Sequence, residues 1–198
     1  KAIQLGAKVV ACSDSNGYIY DKNGLSLQTI KRIKISEGGR IKEYVDTHPE
    51  AEYFDNCSDI WSVPCDIALP CATQNEIDLA AAQMLIENDV KVVAEGANMP
   101  CTSEAIEAFL ENDIMFGPAQ AVNAGGVACS ALEMAQNSSR LRWTFEQVNQ
   151  HLKLIMKEIY WNVINAANEY GHPCNLVVGA NIAGFTKVAD TMIEHGVV

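Results

Sequence analysis

Residues 65–100 read CDIALPCATQNEIDLAAAQMLIENDVKVVAEGANMP. The runs at 65–70 and 90–95 are short and apolar, and between them residues 75–88 carry apolar side chains at helical spacing behind Asn75, a capping residue. Strands this short and apolar suit a parallel sheet covered on both faces, so the stretch predicts strand, helix, strand. The alternation continues with a helix predicted over 103–112 (SEAIEAFLEN) and a third apolar run at 114–117. Upstream, residues 1–5 read as the tail of a helix, Gly6 as its C′ residue and residues 8–12 (KVVAC) as another β run. That is half of a βαβ unit, whose first strand and glycine-rich turn would lie before Lys1. Residues 21–48 are more polar, with Asn23-Gly24 and Gly38-Gly39 marking turns around two predicted helices. After Gly125 nearly continuous helix is predicted, over 126–141, 144–170 and 182–195.

The expected fold is therefore α/β: a Rossmann-like, doubly wound, mostly parallel sheet with a helical C-terminal extension. Residues 1–124 are expected to form the truncated Rossmann-like domain and residues 125–198 the extension packed on it.

Composition narrows the function classes. Fourteen Lys+Arg against 25 Asp+Glu give a net charge of −11, which repels polyanions, so no nucleic-acid partner is expected. No apolar run approaches the ~18 residues of a membrane span, so no membrane partner is expected either. The seven cysteines are scattered without C-x-x-C spacing, which suggests neither a disulfide framework nor a zinc site and reads as reduced thiols in a cytoplasmic protein. The four histidines lie far apart, so no metal site or nucleophilic relay is expected.

In an open parallel sheet, ligands bind beyond the C-terminal ends of the strands. After the first β run comes Ser13-Asp14-Ser15-Asn16-Gly17, where a Rossmann second strand meets an adenosine ribose; a capped turn explains the same residues. A lone acid there suits a ribose diol, whereas serine hydroxyls with nearby cations suit a 2′-phosphate. Lys31, Arg32, Lys34 and Arg40 supply such cations in an otherwise acidic chain, although a solvated helix face accounts for them equally. The second place, residues 69–75 (LPCATQN), combines small residues that admit a ligand to the backbone with the polar Thr73, Gln74 and Asn75. At the third, 94–100 (AEGANMP), a carboxylate, a glycine and an amide meet at one strand end. At the fourth, 118–133, Gly125-Gly126 lead into a helix whose first-turn N–H groups, beside Asn123 and Ser130, suit a carboxylate or amide; close helix packing is the other use of such glycines. Cys71 and Cys129 lie in these loops without an activating histidine, so lining is expected of them rather than catalysis.

Five strings carry a family resemblance: SDSNGYIYD (13–21), CDIALPCATQNEID (65–78), KVVAEGANMP (91–100), NAGGVACSALEMAQN (123–137) and GANIAGFTKVADTM (179–192). Together they closely resemble the hexameric glutamate dehydrogenases of the bacterial NADP-linked type, in the right order and over the whole chain. The resemblance implies the C-terminal cofactor domain of an enzyme that interconverts L-glutamate with 2-oxoglutarate and ammonia, hydride passing to or from a nicotinamide. It implies NADP as cofactor, with NAD possible. Asp14, Ser15, Lys34 and Arg40 match the surroundings of the 2′-phosphate. Ala72, Thr73, Gly96, Ala97, Asn98 and Asn123 match contacts chiefly around the nicotinamide half. Ser130 matches the residue that holds the substrate's distal carboxylate, with Val127 lining that pocket. The family's catalytic Lys and Asp belong to an N-terminal substrate domain outside this sequence, so no residue here is assigned as catalytic and the chain alone is expected to be inactive. A homo-hexamer is expected of the full-length protein. The helix between Asn23 and Gly39 is a few residues shorter than in some relatives, which bears on the match at Lys34. Two other readings stand beside this one: a leucine, valine or phenylalanine dehydrogenase, which needs an apolar side-chain pocket, and a non-catalytic dinucleotide-binding or assembly module.

Overall fold

The computed structural model describes residues 1–196. The chain divides into two compact units, Lys1–Asp66 with Ala80–Val90, and Ile67–Leu79 with the residues from Lys91 onward.

In the first unit, Ile3–Leu5 make a single 3-10 turn that ends at Gly6, φ +95°, a left-handed conformation that glycine adopts without strain. The first β run pairs differently from expectation. Strand β1 (Ala11–Asp14) turns at Ser15-Asn16 into an antiparallel β2 (Gly17–Tyr20), and β2 pairs antiparallel with β3 (Glu52–Phe54). The polar turn that reads as the end of one strand is also the bend of a hairpin. Gly17 is required there, because a Cβ would fall on the Phe54 carbonyl oxygen. Ser26 caps α1 (Leu27–Lys31) by accepting a hydrogen bond from the Thr29 N–H at 3.3 Å, and Arg32–Ser36 continue the helix in π geometry. A second short turn, Ile41–Tyr44, is 3-10. These pieces close over a core of Ile19, Leu25, Ile33, Ile41, Tyr44 and Ala51. The Tyr44 hydroxyl oxygen accepts from the Ser26 N–H at 2.8 Å, so the largest of these side chains buries its polar end satisfied. Most of helix α2 (Leu79–Glu87) also belongs to this unit.

The second unit holds the expected parallel sheet. Strands β4 (Ile67–Ala68), β5 (Val92–Ala94) and β6 (Met115–Gly117) pair in that order, with Ile67 opposite Val92 and Val92 opposite Met115. Val93 of the central strand β5 and Phe116 of the edge strand β6 are buried. Helix α2 starts four residues later than predicted, because Asn75 adopts φ +56° and Ile77 bridges in parallel to Cys101. Thr102 caps α3 (Ser103–Glu111), whose fully buried Phe109 stacks on Phe116 with ring centres 5.9 Å apart.

The C-terminal helices are α4 (Ala119–Val122), α5 (Ala124–Ser139), α6 (Phe145–Glu169) and α7 (Leu176–His195). Thr144 and Gln147 form a capping box at the start of α6. Asn175 caps α7 by accepting from the Val178 N–H at 3.0 Å, so this helix starts six residues before its predicted first turn. Gly179 lets α7 lie against α6, since a Cβ there would fall on the Val163 carbonyl oxygen. By length and composition α7 is apolar enough to cross a membrane, with a mean hydropathy of 1.2, which corrects the expectation that no run approaches that length. It also carries Asn181, Lys187 and Asp190; it packs on α6 through Gly179, while Phe185, Val188, Met192 and Ile193 are exposed.

Candidate functional site

The first unit brings the predicted cation cluster together at the end of β1. Asp14 Oδ2 accepts from Lys34 Nζ and from the Ile41 N–H, both at 3.1 Å, while Oδ1 accepts from the Asn16 N–H at 3.0 Å. Burial alone would raise the Asp14 pKa, but the two backbone donors and the Lys34 ammonium outweigh it and hold the carboxyl below its ordinary value. Lys34 Nζ also donates to the Gly39 carbonyl at 3.3 Å, and Arg40 Nη1 donates to Ser15 Oγ at 3.0 Å. Ser15, Lys34 and Arg40 are exposed, whereas the Asp14 side chain is 11% exposed and occupied by its donors. The carboxylate is thus turned inward to position Lys34, and the groups left facing solvent are a hydroxyl, a guanidinium and an ammonium. These are groups that can make charge-assisted hydrogen bonds to a dianionic phosphate. Of the four predicted cations, Lys34 and Arg40 join this cluster, whereas Arg32 pairs with Glu37 at 3.6 Å.

The second unit gathers the other loops beyond β4, β5 and β6. The Pro70 carbonyl accepts from the N–H groups of Gly96 and Ala97, at 2.9 and 3.0 Å, locking the turn after β5 to the end of β4. At Gly96 a Cβ would fall on Cys71 Sγ, so any larger residue requires that thiol to move. Asn123 Nδ2 donates to Asn98 Oδ1 at 2.6 Å and to the Ala97 carbonyl at 3.3 Å. Its side chain therefore ties two loops instead of capping α5, at whose N-cap it stands. The Ala72 N–H donates to Glu76 Oε1 at 3.0 Å, and Thr73 is exposed at the crest of the same loop.

On α5, Gly125 serves packing, because a Cβ would crowd Leu152 and Met156 at 3.3 Å. Gly126 faces open space, and Val127 is 76% exposed. Ser130 is exposed too, its hydroxyl donating to the Gly126 carbonyl at 3.3 Å. The exposed face from Gly126 to Ser130 thus presents one apolar side chain and one hydroxyl. Burial, aided by the Glu76 carboxylate, pushes the Cys71 pKa up, and burial together with Glu95 pushes Cys101 up further.

Sequence reasoning placed Glu95 in the third loop but gave it no role. In the structure it is 4% exposed, with Oε1 accepting from the Cys101 N–H at 3.2 Å and Oε2 from the Ala119 N–H at 2.8 Å. The available signal was a carboxylate directly after a buried strand, VVAE, where solvent cannot reach it.

Residues 1–196 match the sequence pattern of the family described as Glutamate/Leucine/Phenylalanine/Valine dehydrogenase. The chain belongs to that family. Over its full length it is 53% identical to the NADP-specific glutamate dehydrogenase of Haemophilus influenzae and 48% identical to that of Escherichia coli K12, covering 44% of each. The chain thus spans less than half the length of these curated relatives. Among solved structures, Plasmodium falciparum glutamate dehydrogenase superimposes with a TM-score of 0.92 at 45% identity, over 99% of this chain and 43% of that one. A hetero-hexameric glutamate dehydrogenase from Thermus thermophilus shares the fold, with a TM-score of 0.80 at 20% identity over 100% of this chain and 44% of its own. As a member of the dehydrogenase family, the chain has the expected α/β architecture built on a parallel sheet.

Proposed function

We propose that this chain is the cofactor-binding portion of an NADP-linked glutamate dehydrogenase, acting in the cytoplasm on L-glutamate, 2-oxoglutarate and ammonia. The observation that carries the reading is the inward-turned Asp14 beside the exposed Ser15, Lys34 and Arg40. A carboxylate already satisfied by three donors does not compete for a ribose diol, while the exposed donors suit a 2′-phosphate. The names of the similar proteins, NADP-specific glutamate dehydrogenases, support the same cofactor and substrate.

In this reading Asp14, Ser15, Lys34 and Arg40 serve the 2′-phosphate end. The second unit's Ala72, Thr73, Gly96, Ala97, Asn98 and Asn123 serve the nicotinamide half, and Val127 and Ser130 meet the substrate's side chain and distal carboxylate. Bound NADP supplies the hydride acceptor; the chain's own residues bind and orient. Gly96 admits the ligand to the backbone, and the amides of Asn98 and Asn123 offer hydrogen bonds to a carboxamide. Residues 1–124 carry the cofactor contacts and residues 125–198 the helical extension. Acid–base groups come from a substrate domain of the kind that the longer relatives have room for, since hydride transfer needs both reactants clamped in one geometry. The working assembly is a homo-hexamer.

The test is a cofactor and substrate panel on the full-length protein and on its Lys34→Ala/Arg40→Ala variant. The expected result is NADP-dependent oxidation of glutamate in preference to leucine, valine and phenylalanine. The variant should lose about ten- to a hundredfold in kcat/KM for NADP, as expected for lost charge-assisted hydrogen bonds, with a smaller change for NAD. An unchanged NADP-to-NAD ratio would overturn the assignment.

A further inference from the structure

Glu95 is the one buried carboxylate among the described residues of the second unit, and no step of the proposed reaction uses it. Its two oxygens are divided between two loops. Oε1 takes the N–H of Cys101, at the end of the segment that begins with Gly96-Ala97-Asn98. Oε2 takes the N–H of Ala119, the first residue of the turn of helix that ends at Asn123. At the far end of the same two segments, Asn123 and Asn98 meet at 2.6 Å. The Glu95 backbone N–H donates to the Gly117 carbonyl at 3.0 Å, so the residue is pinned at both its main chain and its carboxylate. Each oxygen faces a backbone donor, so the position calls for two acceptors. An amide of the same shape offers one acceptor and one donor, and its NH2 group would confront an N–H in a site buried from solvent.

We propose that Glu95 is a positioning residue: its carboxylate sets the spacing of the 96–101 and 119–123 segments and thereby holds the Asn98–Asn123 amide pair in the geometry that receives the nicotinamide half of the cofactor. The inference rests on the cofactor reading given above and assigns to that site the group that preorganises it. Cys101 meets the carboxylate twice, with its backbone N–H, 3.2 Å from Oε1, and with its thiol; the backbone contact is the one that spans the 96–101 segment.

The experiment compares wild type, Glu95→Gln, Asn123→Ala and the double variant in the full-length protein, by NADPH fluorescence titration, steady-state kinetics and thermal melting. Glu95→Gln is expected to weaken NADPH about tenfold and raise the KM for NADP, while the KM for glutamate and the NADP-to-NAD preference stay within about twofold. Asn123→Ala should cost clearly less in the Glu95→Gln background than in wild type, because the amide pair is already out of register. Cys101→Ala keeps both backbone donors and removes only the thiol contact, so it should weaken NADPH binding less than Glu95→Gln does. Additive effects of the two variants, or a loss of cofactor and glutamate affinity in step with the melting temperature, would reduce Glu95 to a packing role and overturn the proposal. Should Glu95→Gln fail to fold, Glu95→Asp is measured instead; its shorter reach keeps one of the two bonds and predicts the same selective loss. If wild type binds no dinucleotide, the functional reading falls, and the clamp is judged by amide hydrogen exchange in the ligand-free protein. Faster exchange confined to 96–101 and 119–123 in Glu95→Gln supports it; an unchanged pattern overturns it.

Discussion

At the scale of single residues, Asp14 shows how one carboxylate acquires a role from its donors. Its pKa lies below the ordinary value, because the Ile41 and Asn16 N–H groups and the Lys34 ammonium prevail over burial. A depressed folded-state pKa contributes stability that is fully present above the unfolded value and is lost as pH falls through the folded one. Urea denaturation of Asp14→Asn and wild type across pH should therefore show a constant gap between pH 5 and 7 that closes below about pH 4. A gap that widened in acid would refute the pairing. Charge contrast in a chain of net charge −11 made Lys31, Arg32, Lys34 and Arg40 legible as cations near the Ser13-Asp14-Ser15 turn, and the family resemblance singled out Ser15, Lys34 and Arg40 among these residues. The inward turn of Asp14 was not legible, since its donors Lys34 and Ile41 are 20 and 27 residues away. The same holds for Glu95, whose partners become visible only once the ends of β5 and β6 are side by side.

At the scale of elements, the parallel strands and the helices after Gly125 were readable from apolar period and capping residues, both local signals. The β2 and β3 strands were not, because their pairing joins Tyr18 to Phe54 and no local signal announces a partner so far along the chain. The sequence reading set the start of α7 at residue 182, past Gly179. In the structure it is the contact that admits α6, with the Val163 carbonyl where a Cβ would stand. Gly179→Ala should therefore destabilise the protein by about 1–3 kcal/mol despite the better helix propensity of alanine, which denaturant titration would measure. Gly126→Ala, where the added methyl meets open space, serves as the control and should be neutral or slightly stabilising.

At the scale of the whole molecule, each unit has its own buried centre: Ile19, Ile33 and Tyr44 in the first, Val93, Phe109 and Phe116 in the second. Truncating Phe109 to Ala removes a fully buried ring that stacks on Phe116, and should cost about 3–5 kcal/mol in the unfolding free energy. Lost stability of that size, with the first unit's amides still protected in hydrogen exchange, would show that the units unfold as separate cooperative blocks. The division of the chain has a further consequence for anyone who takes it apart. Residues 80–90 return to the first unit after the backbone has already left it at Asp66, so the polypeptide passes between the units three times. A protease that nicks one of these passages releases neither unit intact, and a gene trimmed after Asp66 encodes a first unit without its own Leu85. Separating the two in the laboratory takes a permuted or spliced reading frame; a stop codon will not do it.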